Sequence, residues 1–234
     1  MRGALAPAPP NNGPRDDRHA GAVLVHVLPL GGQIDEHVRR QEHEIVPGMD
    51  DQRALADGLV TSLDTRVDHW LAEWRGEARG AITLRQLLQN VSGLETPALD
   101  SWAALLGKGG RMRSGTESVR AALSFELAHE PGTHFAVSPV DAQLLGLILE
   151  RASGERFPEV LAQRLWQPIG AGVAEYGLDR RGGMAAVFDG LRAAPGDLLR
   201  VGMLLVDDGV AGGRQVLPQG WVHVMARGSV PNPH

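Results

Sequence analysis

The sequence predicts a mostly helical globular fold, and three observations carry that reading. Amphipathic stripes at helical spacing recur from about residue 54 to the end, several opened by a proline at the first helical position. Capping residues stand where the stripes begin, most clearly Thr83 and Ser138. Few segments alternate as strands do, and no internal repeat is present.

Residues 1–20 are rich in Pro, Asn, Gly and Arg, and are expected to be disordered. The segment 21–53 has no assigned structure. Its apolar run Ala22–Val27 and the stretch Gln33–Asp35 flank a turn and suggest a short hairpin, and 37–51 is charged and irregular around Pro47-Gly48. Residues 54–234 form the expected domain. Ala54–Val60 ends a helix, and Trp70, Leu71 and Trp74 share a face if 68–74 is helical. Thr83 caps a helix over 84–91 with Leu84, Leu87, Leu88 and Val91 inward, closed by Gly93. After a glycine-rich loop at 108–115, Thr116 caps a helix reaching about His129, broken by Pro131-Gly132. Ser138 then caps a helix with Pro139 at its first position and Asp141 near the positive end of the dipole, running to Gly154. Further helices begin near Pro158, Pro195 and Pro218.

The bulk numbers exclude several classes. A chain of 234 residues with 43% hydrophobic and 22% charged content can bury a substantial core. A net charge of −5 gives no nucleic-acid footprint. No cysteine means no disulfide, thiolate metal site or cysteine nucleophile. Lys108 is the sole lysine, so a lysine base has one candidate. The apolar run Gly21–Leu30 is too short to span a membrane and makes a poor export signal, so a cytoplasmic location is expected.

The motifs are more specific than the composition. Glu130-Pro131-Gly132-Thr133-His134-Phe135-Ala136-Val137-Ser138-Pro139, running into Leu144-Leu145-Gly146, resembles the middle motif of the β-lactamase-related serine hydrolases. That family includes class C β-lactamases, penicillin-binding-protein-like esterases and 6-aminohexanoate-dimer hydrolases. Other segments match it in order: Gly58–Val67, Ile82–Leu88 with Ser92-Gly93-Leu94, Leu165–Gly170, and Asp197–Gly202 through Pro218 and Trp221. Val140-Asp141-x-Gln143-Leu144-Leu145-Gly146, with Gly182-Gly183-Met184, leans towards the 6-aminohexanoate-dimer hydrolases.

The resemblance implies an α+β fold in which a helical domain packs on an antiparallel sheet, here with mainly the helical domain retained and the sheet partial. It implies acyl-serine hydrolysis of a small-molecule ester, amide or β-lactam, with no cofactor and no metal. The family's serine lies in Ser-x-x-Lys, where lysine one helical turn away can take the hydroxyl proton. A tyrosine in the middle motif assists, and backbone N–H groups meet the oxyanion.

This chain departs from that pattern. Ser-x-x-Lys is absent; its expected place near 40–50 holds neither serine nor lysine. The motif tyrosine is Val137, and Pro139 replaces the usual Asn or Ser, leaving Ser138 as the only candidate catalytic residue. The third family motif would fall beyond His234, so a C-terminally truncated domain is expected. Three explanations compete: a fragment or frameshifted product, which the abrupt end of the resemblance near residue 54 favours; a pseudoenzyme; or a non-standard nucleophile. A non-catalytic module holding a peptide or cell-wall fragment is the alternative function.

Plainer readings stand beside the sharp ones. Ser138 is also a simple N-cap, and Val137 either lines a cleft or fills a core position. Ser92-Gly93 reads as a helix end, since Asn90 stands where Gly-x-Ser-x-Gly needs glycine. His43-Glu44 fails as a zinc motif because Pro47 occupies the second histidine position. Gly107-Lys108-Gly109-Gly110 reads as a flexible loop rather than a phosphate cradle. Trp70, Trp74, Trp102, Trp166 and Trp221 are expected in the core or cleft wall, and Tyr176 lies far in sequence from the middle motif.

Overall fold

The chain's structure is a computed structural model that describes residues 2–4, 60, 62–97 and 117–226. The expected hairpin at 22–35, the helix end at 54–60 apart from Val60, and the Lys108 loop lie outside those residues, as do Trp102 and Thr116. Helices dominate, with a small antiparallel sheet, giving an α+β architecture.

Strand β1 (Arg2–Ala4) pairs antiparallel with β2 (Glu175–Gly177), which pairs with β3 (Leu191–Arg192). Residues 2–4 thus pair at the edge of this sheet, within the segment 1–20. Strand pairing is made by backbone groups, and Arg2, Gly3 and Ala4 supply them despite a sequence with no strand signature. Helix α1 is Leu84–Leu88, α2 is Ser118–Leu123, α3 is Pro139–Ser153 and α4 is Phe157–Leu161, continued by a π-helical turn at Ala162–Trp166. Helix α5 (Pro195–Val206) leads into a two-stranded ribbon, β4 (Val210–Ala211) and β5 (Arg214–Gln215), and then α6 (Trp221–Ala226).

The segment 68–74 is not an α-helix. It forms separate 3-10 turns at Val67–His69 and Ala72–Trp74, yet Leu71 and Trp74 are still buried and Trp70 packs on the core edge. A tight turn brings those positions inward without the periodicity of a longer helix. Arg79 holds the region in place: its guanidinium donates to the carbonyls of Leu123 (3.1 Å) and Phe125 (2.7 Å) and lies 5.2 Å from the Trp74 ring.

Helix α3 is the centre of the molecule. Val140, Leu144, Leu145, Ile148 and Leu149 are buried, and α1, α2 and α4 pack around it. Its polar residues are placed rather than exposed. The buried Gln143 donates from Nε2 to the Ala185 carbonyl (2.8 Å) and accepts from the Val187 N–H (3.0 Å) at Oε1. Gly146 admits the same loop: a Cβ there would meet Val187 Cγ2 at 2.4 Å and Met184 Cε at 3.1 Å. Val140–Gly146 and Gly182–Met184, read as two motifs 36 or more positions apart, therefore pack against each other. Gly154 closes α3 in the left-handed region.

Candidate functional site

The loop after α1 and the middle motif form one hydrogen-bonded junction. Helix α1 starts at a full capping box, with Thr83 Oγ1 accepting the Gln86 N–H and Gln86 Oε1 accepting the Thr83 N–H. It ends at Leu88, earlier than the expected Val91, because Asn90 turns the chain with φ 55°. Asparagine tolerates that left-handed geometry better than most residues.

Beyond the turn, main-chain bonds lock the two segments together. The Asn90 carbonyl accepts the Ala136 N–H at 3.0 Å, and the Val91 carbonyl accepts the Gly132 N–H at 2.7 Å. The Gly93 carbonyl accepts both the Ala128 and His129 N–H groups, at 2.8 and 3.0 Å. Gly93 itself is compelled by its surroundings, with φ +75° and a would-be Cβ 2.3 Å from the His129 carbonyl oxygen. The exposed rings of His129 and His134 face each other across the Pro131-Gly132 turn, 4.2 Å between centroids.

The three motif positions have distinct fates. Ser138 is only 5% exposed; its hydroxyl accepts the Asp141 N–H at 3.1 Å, the bond of a helix N-cap. Pro139 is the first residue of α3. Val137 is 65% exposed, so it does not fill the core, which removes one of its two readings. It stands at the surface of the junction, between Ala136 and Ser138, which are both held by Asn90.

A buried carboxylate lies directly beneath. Asp141 Oδ1 accepts the Ser92 hydroxyl at 2.7 Å, and Ser92 Oγ in turn accepts the Leu94 N–H at 3.2 Å. Asp141 is 1% exposed, and its Oδ2 has no hydrogen-bond partner among the described residues. Burial pushes its carboxyl up to about 7, against the downward pull of hydrogen bonding by Ser92 and Ser138. Asn90, Ser92 and Asp141 did not emerge as site residues from sequence reasoning. The available signal was the Ser138-x-x-Asp141 spacing of a capping box; Asn90 and Ser92 offered only turn chemistry.

Other sequence candidates lie elsewhere. Tyr176 is fully buried on β2, its ring edge-on to Phe157 at 5.4 Å, and burial raises its hydroxyl above the ordinary tyrosine range. Lys108, His37, His43 and Glu44 fall outside the described residues. Among the described residues no cluster of three His, Asp or Glu side chains could hold a metal ion, and no helix is long and apolar enough to cross a membrane.

Comparison with known proteins places this geometry. The β-lactamase family model matches residues 53–232. The 6-aminohexanoate-dimer hydrolase of Paenarthrobacter ureafaciens is 36% identical over 97 residues, 41% of this chain and 24% of that protein. Protein flp of Staphylococcus aureus (strain MW2) is 28% identical over 111 residues, 47% of this chain and 21% of that protein. The matched segments thus span about a quarter of these relatives. In three dimensions the chain resembles a candidate 6-aminohexanoate-dimer hydrolase of Bacillus anthracis, with a TM-score of 0.64 at 19% identity over 88% of this chain and 51% of that one. A penicillin-binding protein of Bacillus halodurans gives 0.53 at 15% identity, over 91% of this chain and 66% of that one. These likenesses show a β-lactamase/transpeptidase-like fold.

Proposed function

We propose, from the premise that this chain belongs to the β-lactamase family of serine hydrolases, that it keeps the motif framework of an acyl-serine hydrolase without performing acyl-serine chemistry itself. An intact relative would open an ester, amide or β-lactam through an acyl-serine intermediate. Such a reaction needs a serine hydroxyl with a base in reach. The sequence of this chain has no Ser-x-x-Lys, and valine occupies the motif position where the family places its tyrosine.

The observation that carries the reading is the state of Ser138. Its hydroxyl is buried and committed to capping α3, and the neighbouring exposed side chain, Val137, can neither donate nor accept a proton. Ser92 is no better placed as a nucleophile, being 3% exposed with its proton directed to Asp141. Hydrolysis of a chromogenic ester and a chromogenic cephalosporin tests this. The expected result is no turnover above buffer; saturable turnover that a serine-directed inhibitor abolishes overturns it.

A second reading has a specific support. The main-chain and capping hydrogen bonds that join the two motif segments are in place although valine stands at the tyrosine position, which suits a site that holds a peptide or cell-wall fragment without cleaving it. Saturable binding of a muramyl peptide with no product formed would favour that role.

A further inference from the structure

We propose that Asp141 is a proton-operated latch: while its carboxyl is neutral the Asn90–Gly93 loop and the Ala136–Ser138 segment stay sealed together, and when it ionises they loosen. The inference is independent of whether the cleft binds or turns over a ligand.

The geometry that supports it is a carboxyl group with too few partners for a charge. In a reciprocal capping box the acidic side chain at the third helical position accepts the N-cap N–H. Here that N–H, from Ser138, goes to Asn90 Oδ1 at 3.0 Å. Asp141 is thereby turned inward to Ser92: the Ser92 hydroxyl donates to Oδ1, only the Ser138 hydroxyl and the Ser92 N–H lie near enough to favour its charge further, all three neutral, and Oδ2 has no hydrogen-bond partner among the described residues. A fully buried carboxylate ordinarily requires a cation or several donors.

Among the described residues no neighbour supplies the missing charge. Arg85 on α1, Arg120 on α2 with Glu117 just before it, and Glu159 on α4 all lie at the surface or half-buried, as do His129, Glu130 and His134 on the motif loop. None of them hydrogen-bonds to Asp141 or pairs with it among the described residues. The positive end of α3 favours the ionised form, but burial outweighs it.

The sign follows. Relative to an unfolded value near 3.8, the folded carboxyl holds its proton up to about pH 7. Its contribution to stability is therefore complete below the unfolded value and is lost as the pH rises through the folded one. Ionisation breaks the seal where Asp141 sits, between the two motif segments.

The test is hydrogen exchange of the full chain at about pH 5.5 and about pH 8, corrected for intrinsic rates, beside the same measurement on Asp141→Asn. Wild-type protection of peptides covering 86–95 and 130–142 is expected to fall on the order of tenfold between the two conditions, with 157–166 unchanged. The asparagine variant, neutral at both, is expected to show no such loss and to melt several degrees higher than wild type at about pH 8. Equal wild-type protection at both pH values, or the same loss in the variant, overturns the proposal. Should the variant not fold, carboxyl carbon NMR of wild-type Asp141 decides: a midpoint at or above about pH 6 supports the latch, and a lower one overturns it.

Discussion

The side chain of Asn90 accepts the backbone N–H of Ser138 at 3.0 Å, so a residue just past α1 helps to cap α3, 48 positions later in the chain. Asn90 also gives its carbonyl to Ala136. One left-handed turn thereby fixes both the course of the middle motif and the start of the central helix, and it is why Asp141 faces Ser92 instead of its own N-cap.

Substitution at Asn90 should separate backbone from side chain. Asn90→Gly keeps the left-handed turn and removes the acceptor, leaving the Ser138 N–H unsatisfied, for a loss of about 1–2 kcal/mol. Asn90→Ala removes the acceptor and adds the left-handed penalty, for about 1 kcal/mol more. Urea unfolding of the two variants checks the order; alanine equal to glycine would mean that the turn geometry costs nothing.

Gly93→Ala is expected to be worse than either. Both its φ of +75° and the 2.3 Å approach to the His129 carbonyl oppose a Cβ, and the obstacle is backbone that cannot rotate aside. A loss of more than about 3 kcal/mol is expected. It should appear as a lower urea midpoint with unchanged slope.

Removing the Ser138 hydroxyl tests its assignment as a cap. Ser138→Ala should cost about 1 kcal/mol of stability, the ordinary value for a lost N-cap. It should leave binding of any cleft ligand unchanged in stoichiometry, which isothermal titration with a muramyl peptide would show. A neutral effect on stability would contradict the cap.

Much of this framework was legible in the sequence because its signals are local. Ser138 with Pro139 marked the start of α3, Gly154 its end, and Thr83 the start of α1, each through capping chemistry confined to a single turn. The family itself was legible from motifs in fixed order. What the sequence hid was produced by contacts across distance. Asn90 ends α1 early by taking a left-handed turn, and its worth depends on Ala136 and Ser138. The 68–74 stretch has helical spacing of apolar residues, yet two 3-10 turns bury Leu71 and Trp74 equally well. The pairing of Arg2–Ala4 rests on main-chain groups that every sequence carries. Asp141 reads as a dipole residue until Ser92, 49 positions earlier, is seen to donate to it.

At the other face, Glu73 and Arg151 form a two-bond ion pair, at 2.7 and 2.8 Å, and Arg151 also donates to the Trp70 carbonyl. The Arg151 guanidinium holds the Glu73 carboxyl down at about 2. A depressed carboxyl contributes stability above its unfolded value of 4.5 and loses it as the pH falls towards the folded one, opposite in sign to Asp141. Because the pair is largely exposed, Glu73→Gln should cost no more than about 1 kcal/mol at neutral pH. The difference from wild type should shrink as the pH falls from about 4.5 and vanish only below about pH 2. A gap that persists in acid would show that the effect is not ionic.

Whether the motif framework persists here without an activated serine is decided by intact mass spectrometry of the folded chain after incubation with a fluorophosphonate and, separately, with a fluorescent penicillin. An unshifted mass is expected with both probes, on protein whose circular dichroism shows its helices in place. A single adduct mapped to Ser138, or to any other serine, would contradict it.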